Sequence, residues 1–300
     1  DLEASQLVQP GSRVRYITLF ADGDLEQFKA YVEPKLDISQ RLRGVVDGRP
    51  EVGNALTRAT TYLSLAGLLT VLLSGAAIAM TLATAGARVV ITHRDSTEGA
   101  DTIRAGLPGG GHRVVRASAE DSSALDMLAL SIAETEGRLD VLVNNAATTR
   151  VIPHHDLDAL DDDLFDRILR TNVRGPFATV RACRPLLAAD GGGVIVNMSS
   201  IAAQMANGSN VAYCASKAAL DNMTGSLARA LAPHIRVYSI APGLVDTELT
   251  RDWAPETREA MIARTPLGQL ATPEDCAEAV LAAVTSFPST TGIVIPVDGG

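Results

Sequence analysis

The sequence predicts an α/β fold built on a doubly wound parallel sheet, with an N-terminal α+β fragment and an apolar helix ahead of it. Three observations carry this. From Thr81 onward, apolar runs of strand length alternate with amphipathic stretches of helical length, the pattern of repeated β–α–β units. The strand runs are almost wholly apolar, as strands covered by helices on both faces are. Of the 300 residues, 46% are hydrophobic and 20% charged, which suits a large buried core and excludes a disordered chain.

The elements follow in order. Residues 1–60 are mixed: Val14–Leu19 reads as a short strand, Asp24–Tyr31 as a helix opened by Asp24, and Leu36–Val46 as a strand or turn. Pro50 and Glu51 open a further helical stretch. No residue between Arg58 and Arg88 is charged. Within that stretch Tyr62–Met80 is long enough to cross a bilayer as one helix. The same run also fits a buried strand and a buried helix of an α/β domain. Strands are then expected at Arg88–Thr92, His112–Ala117, Val141–Asn144, Gly193–Met198, Arg236–Ile240 and Gly292–Val297. Helices are expected at Thr97–Ala105, Ala124–Glu136, Asp163–Leu187, Tyr213–Leu231, Pro255–Arg264 and Pro273–Thr285. The expected division is 1–60, an apolar helix at 61–81, and the α/β domain at 82–300.

Composition narrows the function classes. The net charge of −9 argues against a nucleic-acid-binding face. Cys183, Cys214 and Cys276 are odd in number and lack CxxC spacing, which excludes a disulfide framework and a Cys-rich zinc site. No metal centre is expected. His154, His155 and Asp156 are adjacent and cannot easily converge on one ion, and Asp161–Asp163 reads as the acidic first turn of a helix. The start of the chain shows no signal-peptide pattern, and there is no GxSxG, HExxH or P-loop.

Lysine is nearly absent: Lys29, Lys35 and Lys217 are the only three. Lys217 closes the segment Tyr213-Cys214-Ala215-Ser216-Lys217. At a spacing of four on a helix the tyrosine and lysine share a face. An ammonium beside a phenol lowers a pKa that starts near 10, toward the range useful for proton transfer. Arginine is bulkier and always charged, so it substitutes poorly there. Ser200 ends a strand, where its hydroxyl can bond a substrate carbonyl or alcohol oxygen. Asn144 and Ala146, in Asn144-Asn145-Ala146-Ala147, follow another strand and can shape a cofactor cleft. Asn172 sits inside a helical stretch, where asparagine is mildly unfavourable and can mark a kink that holds a water.

These segments resemble the short-chain dehydrogenase/reductase family. The resemblance runs from about Ala77 to Gly300 through AGARVVITHR, VLVNNAA, Thr171-Asn172-Val173, NMSS, YCASK, IAPGLVDT and TGIVIPVDGG. It implies a Rossmann-like sheet and an oxidoreductase that interconverts a carbonyl and a secondary alcohol on a small molecule, in the manner of 3-oxoacyl-thioester reductases. It implies that Tyr213 is the general acid/base, that Ser200 orients the substrate oxygen and that Asn172 holds a relay water. Lys217 would lower the tyrosine pKa and bind the nicotinamide ribose. Pro242, Gly243, Val245 and Thr247 would meet the nicotinamide end. Where members that use NAD(H) carry an acid, this chain has His93 followed by Arg94, which favours NADP(H). The family also implies a homo-oligomer, a dimer or tetramer.

One motif departs from the pattern. In the frame of a TGxxxGxG loop only Gly75 falls on a glycine, with Leu69 and Leu73 at the other two positions. Upstream, PGSRVRYITLF, EPKLDISQRLRGVVDGRPEVGNAL and ATTYLSLAGLLTVLLSGAAIAM resemble an FtsX-type ABC-transporter permease. That second resemblance implies a chimeric chain, membrane-anchored through Tyr62–Met80 with its reductase domain in the cytoplasm. The alternative function is then a catalytically impaired chain with a defective cofactor site.

Overall fold

Parallel strands can be joined only by crossovers, so helices end up covering both faces of the sheet. In the computed structural model, which describes residues 74–189, 191–246 and 255–300, the order is α1 (residues 74–84), β1 (Val90–His93), α2 (Thr97–Gly106), β2 (Arg113–Arg116), α3 (Ser122–Thr135), β3 (Val141–Asn144) and α4 (Asp162–Leu169). A π-helical turn at Arg170–Arg174 leads into α5 (Gly175–Leu187). Then come β4 (Gly193–Met198), α6 (Ala202–Met205), α7 (Val211–Leu231), β5 (Ile235–Pro242), α8 (Pro255–Ile262), α9 (Pro273–Thr285) and β6 (Ile293–Val297). The chain divides into two compact units, Asp1–Thr57 and Arg58–Gly300, and every described residue belongs to the second.

All pairings among the described strands are parallel. They form a two-stranded sheet, β1-β2, and a four-stranded sheet, β3-β4-β5-β6. Successive residues of a strand face opposite ways, and β4 uses both faces. Val194, Val196 and Met198 pack with Ile78 of α1 and with Val280 and Ala283 of α9. Ile195 packs on the other face with Cys183 and Leu187 of α5 and Ala228 of α7. This is the doubly wound arrangement that the alternating pattern predicts.

The apolar run needs a correction. Its last residues, from 74 onward, are not part of a membrane span but the start of α1. Ile78 is 4% exposed in the core against β4, and Ala79 and Ala83 pack beside Val89, Ile91 and Ile103. A residue buried against the sheet cannot also face lipid. Among the described residues no helix is long and apolar enough to cross a membrane. The expected elements of residues 1–60, the stretch 62–73 with Leu69 and Leu73, and Thr247 lie outside the described residues.

The single long helix expected at Asp163–Leu187 is also corrected. It is interrupted by the wide turn at Arg170–Arg174. The short helix α6 has no counterpart in the sequence reading.

Candidate active site

The parallel register lines up Asn144 of β3, Asn197 of β4 and Ser239 of β5 as neighbours across the sheet. Asn197 and Ser239 are fully buried, so each polar group needs a partner. Asn144 Nδ2 donates to Asn197 Oδ1 at 2.8 Å. Asn197 Nδ2 donates to Thr224 Oγ1 of α7 at 2.8 Å. Thr224 Oγ1 lies 2.8 Å from Ser239 Oγ. This chain of bonds pins α7 over the strands at a fixed height.

On α7 that height sets Tyr213 and Lys217 near the carboxyl end of β4. Asn210 caps the helix: its Oδ1 accepts from Tyr213 N at 2.8 Å. Its Nδ2 donates to Arg150 O at 2.7 Å and to Thr149 Oγ1 at 3.2 Å. One fully engaged amide therefore ties the tyrosine backbone to the loop after β3. Gly208 completes the seat. A Cβ there would come within 2.9 Å of Ala202 Cβ, 3.1 Å of Cys214 Sγ and 3.4 Å of Tyr213 Cδ1.

The Ser200 hydroxyl lies close to the Tyr213 phenol. Burial pushes the phenol above its usual pKa, and the nearby Ser200 hydroxyl pulls it part of the way back. Lys217 is 3% exposed. Its Nζ donates to Met198 O at 2.7 Å and lies 5.6 Å from the centroid of the Tyr213 ring. Burial brings the ammonium down to about 8, opposed by the negative charge of Asp221. The expectation that Lys217 lowers the tyrosine pKa is thus corrected: desolvation dominates, and the ammonium is turned to the strand carbonyl.

Asn172 is 1% exposed inside the wide turn. Its Oδ1 accepts from Thr148 N at 2.8 Å, and its Nδ2 donates to Thr148 O and Ser216 Oγ, each at 3.0 Å. The π turn is what points this side chain inward, between the loop after β3 and α7.

On the other side of the sheet end, Gly75 in the first turn of α1 lies against Asn145, where a Cβ would meet Asn145 Nδ2 at 2.8 Å. Ala146 is exposed. Gly243 donates its N–H to Val297 O at 2.9 Å, and a Cβ on it would meet Asp298 Cβ at 2.7 Å. Pro242 O accepts from Ile201 N at 3.0 Å. The Val245 side chain is 1% exposed and belongs to the core cluster under α9, and its backbone bridges Ala271. Arg94 is exposed and paired with Asp95 at 2.6 Å and Glu120 at 3.6 Å.

The family model described as enoyl-(acyl carrier protein) reductase matches residues 74–300. A relative from Streptomyces violaceoruber, named as ketoacyl reductase 2 of granaticin polyketide synthase, is 40% identical over 228 residues, covering 75% of this chain and 90% of the relative. The chain belongs to the short-chain dehydrogenase/reductase family. A 7alpha-hydroxysteroid dehydrogenase from Clostridium sardiniense is 35% identical over 231 residues, 75% of this chain and 88% of that protein. The crystal structure of a family member from Brucella melitensis, described as a glucose/ribitol dehydrogenase, matches with a TM-score of 0.69 at 28% identity, over 75% of this chain and 90% of that one.

This short-chain dehydrogenase/reductase is an oxidoreductase of a family that uses NAD(P). The residues present fit such a cofactor. At the carboxyl end of β1, His93 Nδ1 is buried without a hydrogen-bond partner. Gly75, having no side chain, lets Asn145 lie against the first turn of α1. The matched span begins at Ser74, so α1 belongs to the reductase and not to an upstream anchor.

Several residues escaped the sequence reading: Asn197, Asn210, Thr224 and Asp221. Asn210 had a local signal, since an asparagine before a helical run is a strong N-cap. Asp221 also had one, standing four residues after Lys217 on the same helix, whereas Asn197 and Thr224 gain meaning only once α7 is laid over the paired strands.

Proposed function

We propose that the chain interconverts a carbonyl and a secondary alcohol with NADP(H), acting on 3-oxoacyl-thioester-like substrates. The observation that carries this is the Ser200–Tyr213 pair held at the end of β4 over a buried Lys217. The ketoacyl reductase name of one relative supports the substrate class, and the secondary alcohol named in the steroid relative fits the same chemistry.

When bound, the nicotinamide exchanges hydride with the carbon that carries the reacting oxygen. The chain's own residues manage the proton and the orientation. The Ser200 hydroxyl donates to the substrate oxygen and sets its position. The Tyr213 phenol gives its proton to that oxygen in reduction and recovers it in oxidation. Its raised pKa keeps it protonated at neutral pH, which suits the reductive direction. Lys217, with ammonium hydrogens beyond the one on Met198 O, would hold the nicotinamide ribose. The Asn172 amide is spent on Thr148 and Ser216, so it holds the loop and helix in place, and a relay water is left to the backbone of the π turn. His93, Arg94 and Gly75 would hold the adenosine and phosphate end. Arg94 favours a 2′-phosphate once it exchanges its Asp95 contact.

The test is a fluorescence titration of the 300-residue chain with NADPH and with NADH, followed by NADPH oxidation with an acetoacetyl thioester. Tighter binding of NADPH and thioester-dependent oxidation are expected. No binding up to millimolar cofactor would refute the proposal and leave the impaired-site reading standing.

A further inference from the structure

Asp221 takes no part in the relay just described, yet the fold encloses it. It lies one helical turn beyond Lys217 on α7, on the same face. Neither carboxylate oxygen is open to solvent, and neither has a partner at full hydrogen-bond geometry. The elements packed against it supply the Ser199 hydroxyl just after β4 and the Ser239 hydroxyl of β5. Ser239 is itself held by Thr224 at 2.8 Å. An ionisable group in such a place either serves a neighbour or destabilises the fold without return.

The neighbour is Lys217. On its own helix Lys217 faces Asp221 and Tyr213, and from β4 it meets the neutral Met198 carbonyl. Among the described residues Asp221 is the one negative charge that acts on it. The two side chains make no contact ion pair, so the influence acts through space in a poorly solvated interior, where it is strong. Burial pushes the Asp221 carboxyl up, while Ser199, Ser239 and Lys217 all pull it down toward its charged form.

We propose that Asp221 is a positioning residue for the reaction: its enclosed carboxylate keeps the Lys217 ammonium charged and donating, and the Ser199 and Ser239 hydroxyls keep Asp221 ionised for that task. The idea rests on the catalytic reading of Lys217 given above. The sign follows from charge. Without the carboxylate, burial of Lys217 goes unopposed and its proton leaves at lower pH. Any activity that needs the ammonium is then lost at lower pH as well.

The chain's three lysines make the test direct. Lysine labelled with carbon-13 at Cε gives three signals in the full chain, and the one missing from Lys217→Met identifies Lys217. Its titration midpoint should lie near about 8 in the native chain. In Asp221→Asn it should fall by about one pH unit or more. Ser239→Ala should move it the same way by less. The alkaline limb of kcat for carbonyl reduction should move down in parallel with the Asp221→Asn midpoint. A native midpoint at the ordinary lysine value, or an unchanged midpoint in Asp221→Asn, overturns the proposal. Should Asp221→Asn not fold, an unchanged midpoint in Ser239→Ala does so instead. The titration needs neither cofactor nor turnover. A chain that fails to bind NADPH but shows the shift separates the failure of the catalytic reading from that of the pairing.

Discussion

Replacing Lys217 by methionine should abolish function while changing how stability depends on pH, and the size of that change follows from the site. Lys217 is 3% exposed, and its ammonium is lowered from 10.5 to about 8. That gap corresponds to about 3 kcal/mol. Below pH 8 the lysine is charged in both folded and unfolded chains, and the folded state bears the cost of burying it. Between 8 and 10.5 the unfolded chain holds a proton that the folded chain has released, so stability rises with pH across that window. From pH 7 to pH 10 the native chain should therefore gain about 2–3 kcal/mol relative to Lys217→Met, because groups common to both cancel. The assay is urea unfolding of both proteins at the two pH values, followed by far-UV circular dichroism. A stability difference that is the same at both pH values would refute the buried ammonium, and with it the reason for Asp221.

Three further outcomes are expected. Tyr213→Phe should lower turnover by about 10²–10⁴-fold with NADPH affinity unchanged within a few-fold. Equal turnover in that variant would remove Tyr213 from the relay. Gly208→Ala forces its Cβ to 2.9 Å from Ala202 Cβ and 3.1 Å from Cys214 Sγ. It should cost about 1–3 kcal/mol in thermal unfolding and lower turnover by displacing the Tyr213 ring. Adding Ala202→Gly should recover much of both, and no recovery would mean that the strain lies elsewhere. Arg94→Ala should reduce the preference for NADPH over NADH by about tenfold or more, as loss of a charge-assisted phosphate contact does. An unchanged ratio would assign the 2′-phosphate to other groups.

Much of the fold was legible because its signals are local. Val141–Asn144, Gly193–Met198 and Pro273–Thr285 stand where their apolar periods and flanking breakers put them, and Thr272 with Asp275 forms the capping box that opens the last of these helices. The π turn was legible only as a hint: Asn172 marked a place where the helix could kink, but what rewards the extra residue is the set of bonds that Asn172 makes to Thr148 and Ser216. Composition equally could not tell a bilayer from a protein interior for the run ending at Met80, since both demand apolar side chains. What decides is the partner, and Ile78 has β4.

The site divides along the same line. A spacing of four puts Tyr213 and Lys217 on one helical face, but it does not say where an ammonium turns. Lys217 turns to the Met198 carbonyl, 19 residues away in sequence, because a buried charge must first satisfy its own hydrogens. Once there it is not what sets the phenol, whose proton is held by burial and loosened by the nearby Ser200 hydroxyl. The residues that govern Lys217 therefore sit outside the recognisable motif. Asp221 is one turn further along, and Ser239 belongs to a strand that only parallel register brings alongside. A YxxxK segment points to the proton donor of the proposed relay. How long its lysine keeps its charge as pH rises is set first by burial and then, on our proposal, by the carboxylate beyond the motif.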